Sequence, residues 1–245
     1  MSQLNPLGLT SAQAAKSRIQ LMDAVRGLCI ILMVLHHLGY DLWSYGMLPD
    51  WVLDNPVFYV VQPFFAGMFL FISGISSRFS HSNLRRGLRV LCWSVVVSLV
   101  SWLVGEPILF GVLHFLGCAM VIYGLAGRWV DRLPRWLTPI LCLAGIVLTA
   151  PLLHRRFDVR GLFWLGFMSR SFASADYYPL LPWIFVFLLG TWAGYYVKEH
   201  RLPDRFYTWT CPVLPQIGRL SLVIYLAHQP ICYGAVVLIH YLIHR

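Results

Sequence analysis

Seven apolar runs divide the chain, at about 20–39, 56–77, 88–105, 107–127, 136–153, 179–197 and 217–243, each bounded by charged residues or by Pro and Gly. A helix needs roughly 20 apolar residues to cross the hydrocarbon core of a bilayer, so every run is long enough to span. Lipid offers open backbone groups no partner, which makes each run a helix. Composition agrees. The chain is 58% hydrophobic and 12% charged, where a soluble domain carries about 25% charged residues. So little polar surface excludes a soluble enzyme, a disordered chain and a secreted disulfide scaffold. The expected fold is all-α: a polytopic integral membrane helical bundle with about seven transmembrane helices. Residues 1–17 read as a polar cytoplasmic tail and 18–245 as a single transmembrane domain. The first run carries Arg26 near its start and has no small-residue cleavage site, so it reads as a retained span rather than a signal peptide.

The net charge is +9, from 19 Lys and Arg against 10 acids. In a soluble chain that excess would suggest nucleic acid. In a membrane chain basic residues set orientation, and no nucleic-acid partner is expected. Lys16, Arg18, Arg78, Arg85, Arg86, Arg89, Arg128, Arg132, Arg135, Lys198, Arg201, Arg205 and Arg219 fall on one side of seven alternating spans. Arg155, Arg156, Arg160, Arg170 and Arg245 fall on the other. The split places the N-terminus in the cytoplasm and the C-terminus outside. The first outer loop fits, with Asp41, Asp50 and Asp54 and no Lys or Arg. The outer segment 154–178 has two readings: an interfacial helix whose arginines meet lipid headgroups, or a lid over an outward-facing site. The six cysteines show no C-x-x-C spacing. They read as packing residues, with neither a disulfide framework nor a metal site expected.

Ionisable side chains at membrane depth are costly and mark function. Arg26 and His37 are eleven positions apart, about 20° out of phase on a helix and about 16.5 Å apart along its axis. Asp23 lies one turn before Arg26, and Asp41 one turn after His37. The stripe Asp23, Arg26, Ile30, Met33, His37, Asp41 thus has an Asp–Arg pair at one end and a His–Asp pair at the other. A carboxylate one turn from an imidazole can accept its N–H, fix its tautomer and raise its basicity, the arrangement of general-base and acyl-transfer sites. The alternative is a cationic His capping the end of its helix. His36 lies about 100° round the helix and faces elsewhere.

His114, between Gly111 and Gly117, and His228, on a stripe with Ser221, Tyr225 and Cys232, are also deep. Each is a candidate for substrate contact or oxyanion stabilisation; the alternative for each is an interhelical hydrogen bond. Pro230 frees a carbonyl near position 226. The small residues Ser73, Gly74, Ser76 and Ser77 suit either tight packing or a backbone-lined opening.

Arg18-Ile19, Asp23-Ala-Val-Arg26-Gly27, Met33, His37 and Tyr40-Asp41 resemble the first span of the membrane acyltransferase family defined by the catalytic domain of heparan-alpha-glucosaminide N-acetyltransferase, which includes short bacterial members. Phe71-Ile-Ser-Gly74, Gly111-Val-Leu-His114 and Leu226-Ala-His228-Gln229-Pro230 resemble its later motifs, in order. The Arg-x10-His spacing also resembles that of the acyltransferase-3 family. The resemblance implies acyl transfer from cytoplasmic acyl-CoA, acetyl-CoA foremost, to an extracytoplasmic glycan or lipid-linked sugar. It implies residence in a bacterial cytoplasmic membrane, with lipid as the surroundings; a homo-oligomer is compatible with it. On this reading His37, oriented by Asp41, is the general base or is transiently acylated, and His114 and His228 support it. Arg26, Arg78, Arg85 and Arg86 meet the CoA phosphates.

Two rivals stand beside it. A haem- or quinone-linked redox protein would use His37, His114 and His228 as ligands, but His37 is expected near the outer surface and His228 near mid-membrane, which is wrong for a paired site. A proton-coupled transporter would use the same groups as a relay, but the chain has no internal repeat.

Overall fold

The computed structural model describes residues 19–243, apart from the side chains at 57–59. The tail 1–17, Arg18 and Arg245 lie outside the described residues. Seven helices are long and apolar enough to cross a membrane. These are α1 (Gln20–Ser44), α2 (Pro56–Ser77), α3 (Asn83–Val104), α4 (Val112–Val130), α5 (Leu137–Thr149, prolonged by a 3-10 turn to His154), α6 (Leu180–Lys198) and, after the short helices α7 (Asp204–Thr208) and α8 (Leu214–Arg219), α9 (Ser221–Ile243). All seven expected spans are present. Their outward faces are apolar and exposed, as at Leu103, Val147 and Leu148, which suits lipid rather than water as the surroundings.

The boundaries moved for local reasons. α3 begins before its apolar run because Ser82 caps it, accepting from the Arg85 N–H at 3.3 Å. Its first turns therefore carry Arg85, Arg86 and Arg89. α4 begins later than expected because Gly105 turns the chain with φ of 91° and Gly111 is extended at the helix start, leaving 106–111 outside any helix. The last run is broken in two at Leu220, between α8 and α9.

The chain divides into two compact units, one of residues up to Phe69 with those from Lys198 onward, the other Leu70–Val197. In the first, α1 packs on α8 and then α9. Gly27 and Gly218 make that approach possible: a Cβ on Gly27 would overlap Leu214 O, and one on Gly218 would overlap Asp23 O. His37 meets His228 and, farther along both helices, Tyr45 meets Tyr233, so the first and last spans run parallel, as five intervening spans require.

In the second unit, the end of α2 packs on α6. A Cβ on Gly74 would overlap Phe187 O, and one on Gly190 would overlap Phe71 O. Ser76 and Ser77 turn their hydroxyls back on Ile72 O and Ser73 O, each at 2.9 Å. The small residues of α2 therefore serve packing, not a backbone-lined opening. Leu70, Phe115 and Phe187 are fully buried here.

Segment 154–178 is not an interfacial helix. It folds as β1 (Arg156–Phe157) paired in parallel with β2 (Met168–Ser169), around one 3-10 turn at Phe163–Leu165. Gly161 and Gly166 have φ of 83° and 120°, which end any helix. Phe163 stacks on Phe172, and Tyr177 meets Phe172 at a tilt. The Tyr177 hydroxyl donates to Phe163 O at 2.7 Å. Burial pushes that phenol up to about 12, so it stays a donor across the working pH range.

Candidate functional site

The first unit gathers four of the polar side chains at one level of the α1–α9 seam: His37 and Asp41 from α1, His228 and Gln229 from α9. The rings of His37 and His228 meet edge to face, with centroids 5.0 Å apart. His228 and Asp41 are buried, and His37 is half-buried.

The hydrogen bonds fix both tautomers. His37 Nδ1 lies 2.8 Å from Met33 O, and His228 Nδ1 lies 2.7 Å from Tyr225 O. A carbonyl oxygen only accepts, so in each ring Nδ1 carries the hydrogen and donates. His228 Nε2 is buried without a partner. A second hydrogen there would make a buried, unpaired cation, which is expensive, so Nε2 is a lone pair. His37 Nε2 has no hydrogen bond among the described residues. The site thus presents one buried imidazole lone pair, on His228 Nε2, beside a His37 Nε2 that no described residue meets.

Asp41 does not hold His37 in the expected way. Its two oxygens accept from Gln229 Nε2 at 3.0 and 3.1 Å, while the His37 ring is oriented by its own helix through Met33 O. The helical spacing correctly put Asp41 on the same face as His37. It could not reveal that an amide from α9 would take the carboxylate. The seam continues with the Tyr45 and Tyr233 hydroxyls, 3.0 Å apart.

The expected difference in depth between His37 and His228 is absent, since their rings touch. α8 occupies the seam beside α1 from Asp23 to Gly27, so α9 starts farther along α1 and His228 arrives at the level of His37. A paired haem remains unsuited to them, because rings in direct edge contact leave no room for a porphyrin between.

His114 lies in the second unit and has the opposite tautomer. Its Nδ1 accepts from the Gly111 N–H at 3.3 Å, so its Nε2–H donates to Ser98 Oγ at 3.0 Å. Ser98 in turn donates to Ile108 O at 2.6 Å. Both nitrogens are spent joining α3, α4 and the loop between them, the interhelical alternative of the sequence reading. Asp176, which sequence reasoning did not single out, accepts from the Val112 N–H at 2.9 Å at the start of α4.

The arginines divide as well. Arg26 donates to Asp23 Oδ1 at 2.9 Å, and Arg219 lies 3.5 Å from Asp23 Oδ2. One nearly buried carboxylate therefore sits between two guanidinium groups. Arg78 binds Asp131 through Nη1 at 2.7 Å and Nη2 at 2.6 Å, and Thr191 O through Nε at 2.8 Å. Those donors tie α2 to α6 and to the end of α4 and are not offered to a phosphate. Beside that bridge, Arg78, Asp131, Arg135, Thr138, Trp192 and Tyr195 line an open pocket. There the Arg135 guanidinium lies 3.7 Å over the Tyr195 ring. Arg85 is exposed on the first turn of α3.

Gln229 and Arg219 were missed by sequence reasoning. Gln229 is the single carboxamide of α9 and adjoins His228, which was the available signal. Arg219 had been counted only as a topology charge. Among the described residues no three His, Cys, Asp or Glu side chains gather as a metal site.

The family model described as Heparan-alpha-glucosaminide N-acetyltransferase, catalytic, matches residues 18–230. No curated protein and no solved structure matches the chain.

Proposed function

Because the chain belongs to the heparan-alpha-glucosaminide N-acetyltransferase catalytic family, and is therefore an integral membrane acyltransferase, we propose that it moves an acetyl or other acyl group from cytoplasmic acyl-CoA to an extracytoplasmic glycan or lipid-linked sugar, with His37 and His228 at the reacting centre. The observation that carries the assignment is the pair of imidazoles whose Nδ1 hydrogens are tied to backbone carbonyls and whose Nε2 atoms are unpartnered. A general base must offer a lone pair within reach of the proton it takes, and this pair does so from two rigid helices.

In the step itself the acceptor's amine or hydroxyl attacks the thioester carbonyl as His37 Nε2 takes its proton. The tetrahedral intermediate then expels the CoA sulfur, which recovers that proton from the imidazolium. His228 contacts the attacking group from the facing helix. His114, with both nitrogens engaged, has a structural role. Arg26, in the same unit as His37 and His228, meets an acyl-CoA phosphate.

The excess of basic residues supports a cytoplasmic N-terminus and an outer C-terminus, in a bacterial cytoplasmic membrane. The family match crosses both compact units, which supports 18–245 as one acyltransferase domain. The deciding experiment is product mass spectrometry after membranes containing the protein are incubated with acetyl-CoA and a panel of amino sugars and lipid-linked glycans. An acceptor gaining one acetyl group is expected; retention of every acceptor unmodified would refute the assignment.

A further inference from the structure

Gln229 follows His228 on α9 and holds Asp41, and its amide has a forced orientation. An ionised carboxylate accepts and never donates. The two contacts of 3.0 and 3.1 Å to Asp41 therefore require the amide nitrogen on that side. The amide oxygen must then point away, and Gln229 Oε1 is indeed buried with no partner. His228, the preceding residue of α9, holds a second buried acceptor with no partner, its Nε2. Native structures leave few such atoms unsatisfied, and each one calls for an explanation. Two such acceptors without a donor, on consecutive residues of one helix, call for a ligand that brings donors.

We propose that Gln229 is an acceptor-binding residue and that Asp41 is the positioning residue that aims it. The inference rests on the acyl-transfer reading and deepens it. A hydroxyl has one hydrogen, which goes to the base. An amine keeps a second, and a sugar carries further hydroxyls beside the one that reacts. Gln229 Oε1 takes such an additional hydrogen and holds the nucleophile in line with the thioester. The substrate class selected is an acceptor with a second N–H or O–H donor beside the attacking atom. Asp41 acts by preventing the amide from turning over: without its negative charge, Gln229 can present nitrogen where oxygen is needed. This gives Asp41 a function that does not require it to touch His37.

The test uses the full chain in detergent with acetyl-CoA as donor and glucosamine as acceptor probe, measuring KM for each. Gln229→Met keeps length and loses both polar atoms. It should raise KM for glucosamine roughly 5- to 100-fold, the span expected for one unsatisfied hydrogen bond, and leave KM for acetyl-CoA within about twofold. Asp41→Asn should raise the same KM. The double variant should be no worse than Gln229→Met alone, because residues acting through one another are not additive. An unchanged glucosamine KM, an effect on acetyl-CoA instead, or multiplying effects would overturn the proposal. If Gln229→Met does not fold, the isosteric Asp41→Asn decides alone by the same split of KM values. Wild-type protein that acetylates neither glucosamine nor any other acceptor of the panel would overturn the acyl-transfer reading and this inference with it, whereas a wild type active on glucosamine with indifferent variants, or active on other acceptors only, overturns this inference alone.

Discussion

Replacing His37 by Asn separates the two nitrogens of its ring. The Nδ1–H donates to Met33 O at 2.8 Å, and an Asn amide nitrogen can stand near that position and keep the bond. Nothing in Asn reaches the place of Nε2, so His37→Asn removes the proposed base and little else. General-base catalysis contributes about 10²- to 10⁴-fold, or about 3–5 kcal/mol of barrier at 1.36 kcal/mol per decade. His37→Ala also loses the bond to Met33, worth about 1 kcal/mol, which for a chain of this size lowers Tm by roughly 2–4 °C. Both variants should therefore slow single-turnover transfer of radiolabelled acetyl from acetyl-CoA by about 10²- to 10⁴-fold, and only the alanine should lower Tm. His36→Ala should stay active, since that ring lies 5.7 Å from His37 and on another face of α1. If His37→Asn keeps more than about a tenth of wild-type activity, Nε2 is not the base. An essential His36 beside a dispensable His37 would refute the assignment of the helical face itself.

Arg26→Ala should weaken acyl-CoA use roughly 10- to 150-fold, the cost of one charge-assisted hydrogen bond; acyl-CoA binding to the folded variant that matches wild type would leave Arg26 only its pairing with Asp23. A reporter active only outside the cytoplasm should be active when fused after Arg245 and silent when placed in the 78–89 region; the reverse pattern would invert the topology. Gly74→Val should prevent α2 from packing on α6, because its Cβ falls on Phe187 O, and should be read as loss of the monodisperse peak in size-exclusion chromatography; a normal peak would show that the two helices can part at little cost.

Local spacing carried what depends on one helix at a time. The seven spans follow from run length and the cost of open backbone in lipid. The Asp23–Arg26 pair follows from a three-residue step, and it forms at 2.9 Å. The common face of Arg26, His37 and Asp41 follows from helical phase. Other facts depend on how far one helix slides along another, which no periodicity encodes. The close approach of Gly27 and Gly218, and the break at Leu220, set where α9 begins beside α1. That register brings His228 to His37 and Gln229 to Asp41, residues almost two hundred positions apart. Arg78 reads from the sequence as a cation free for phosphate, yet Asp131 neutralises it from the end of α4. His114 and His228 look alike in the sequence, as single imidazoles in apolar runs. Tertiary structure separates them by what meets their nitrogens: a backbone N–H and a serine complete His114, whereas His228 has one carbonyl and an open lone pair. Hydrogen-bond partners decide which histidine can take a proton, and those partners exist only once the helices have packed.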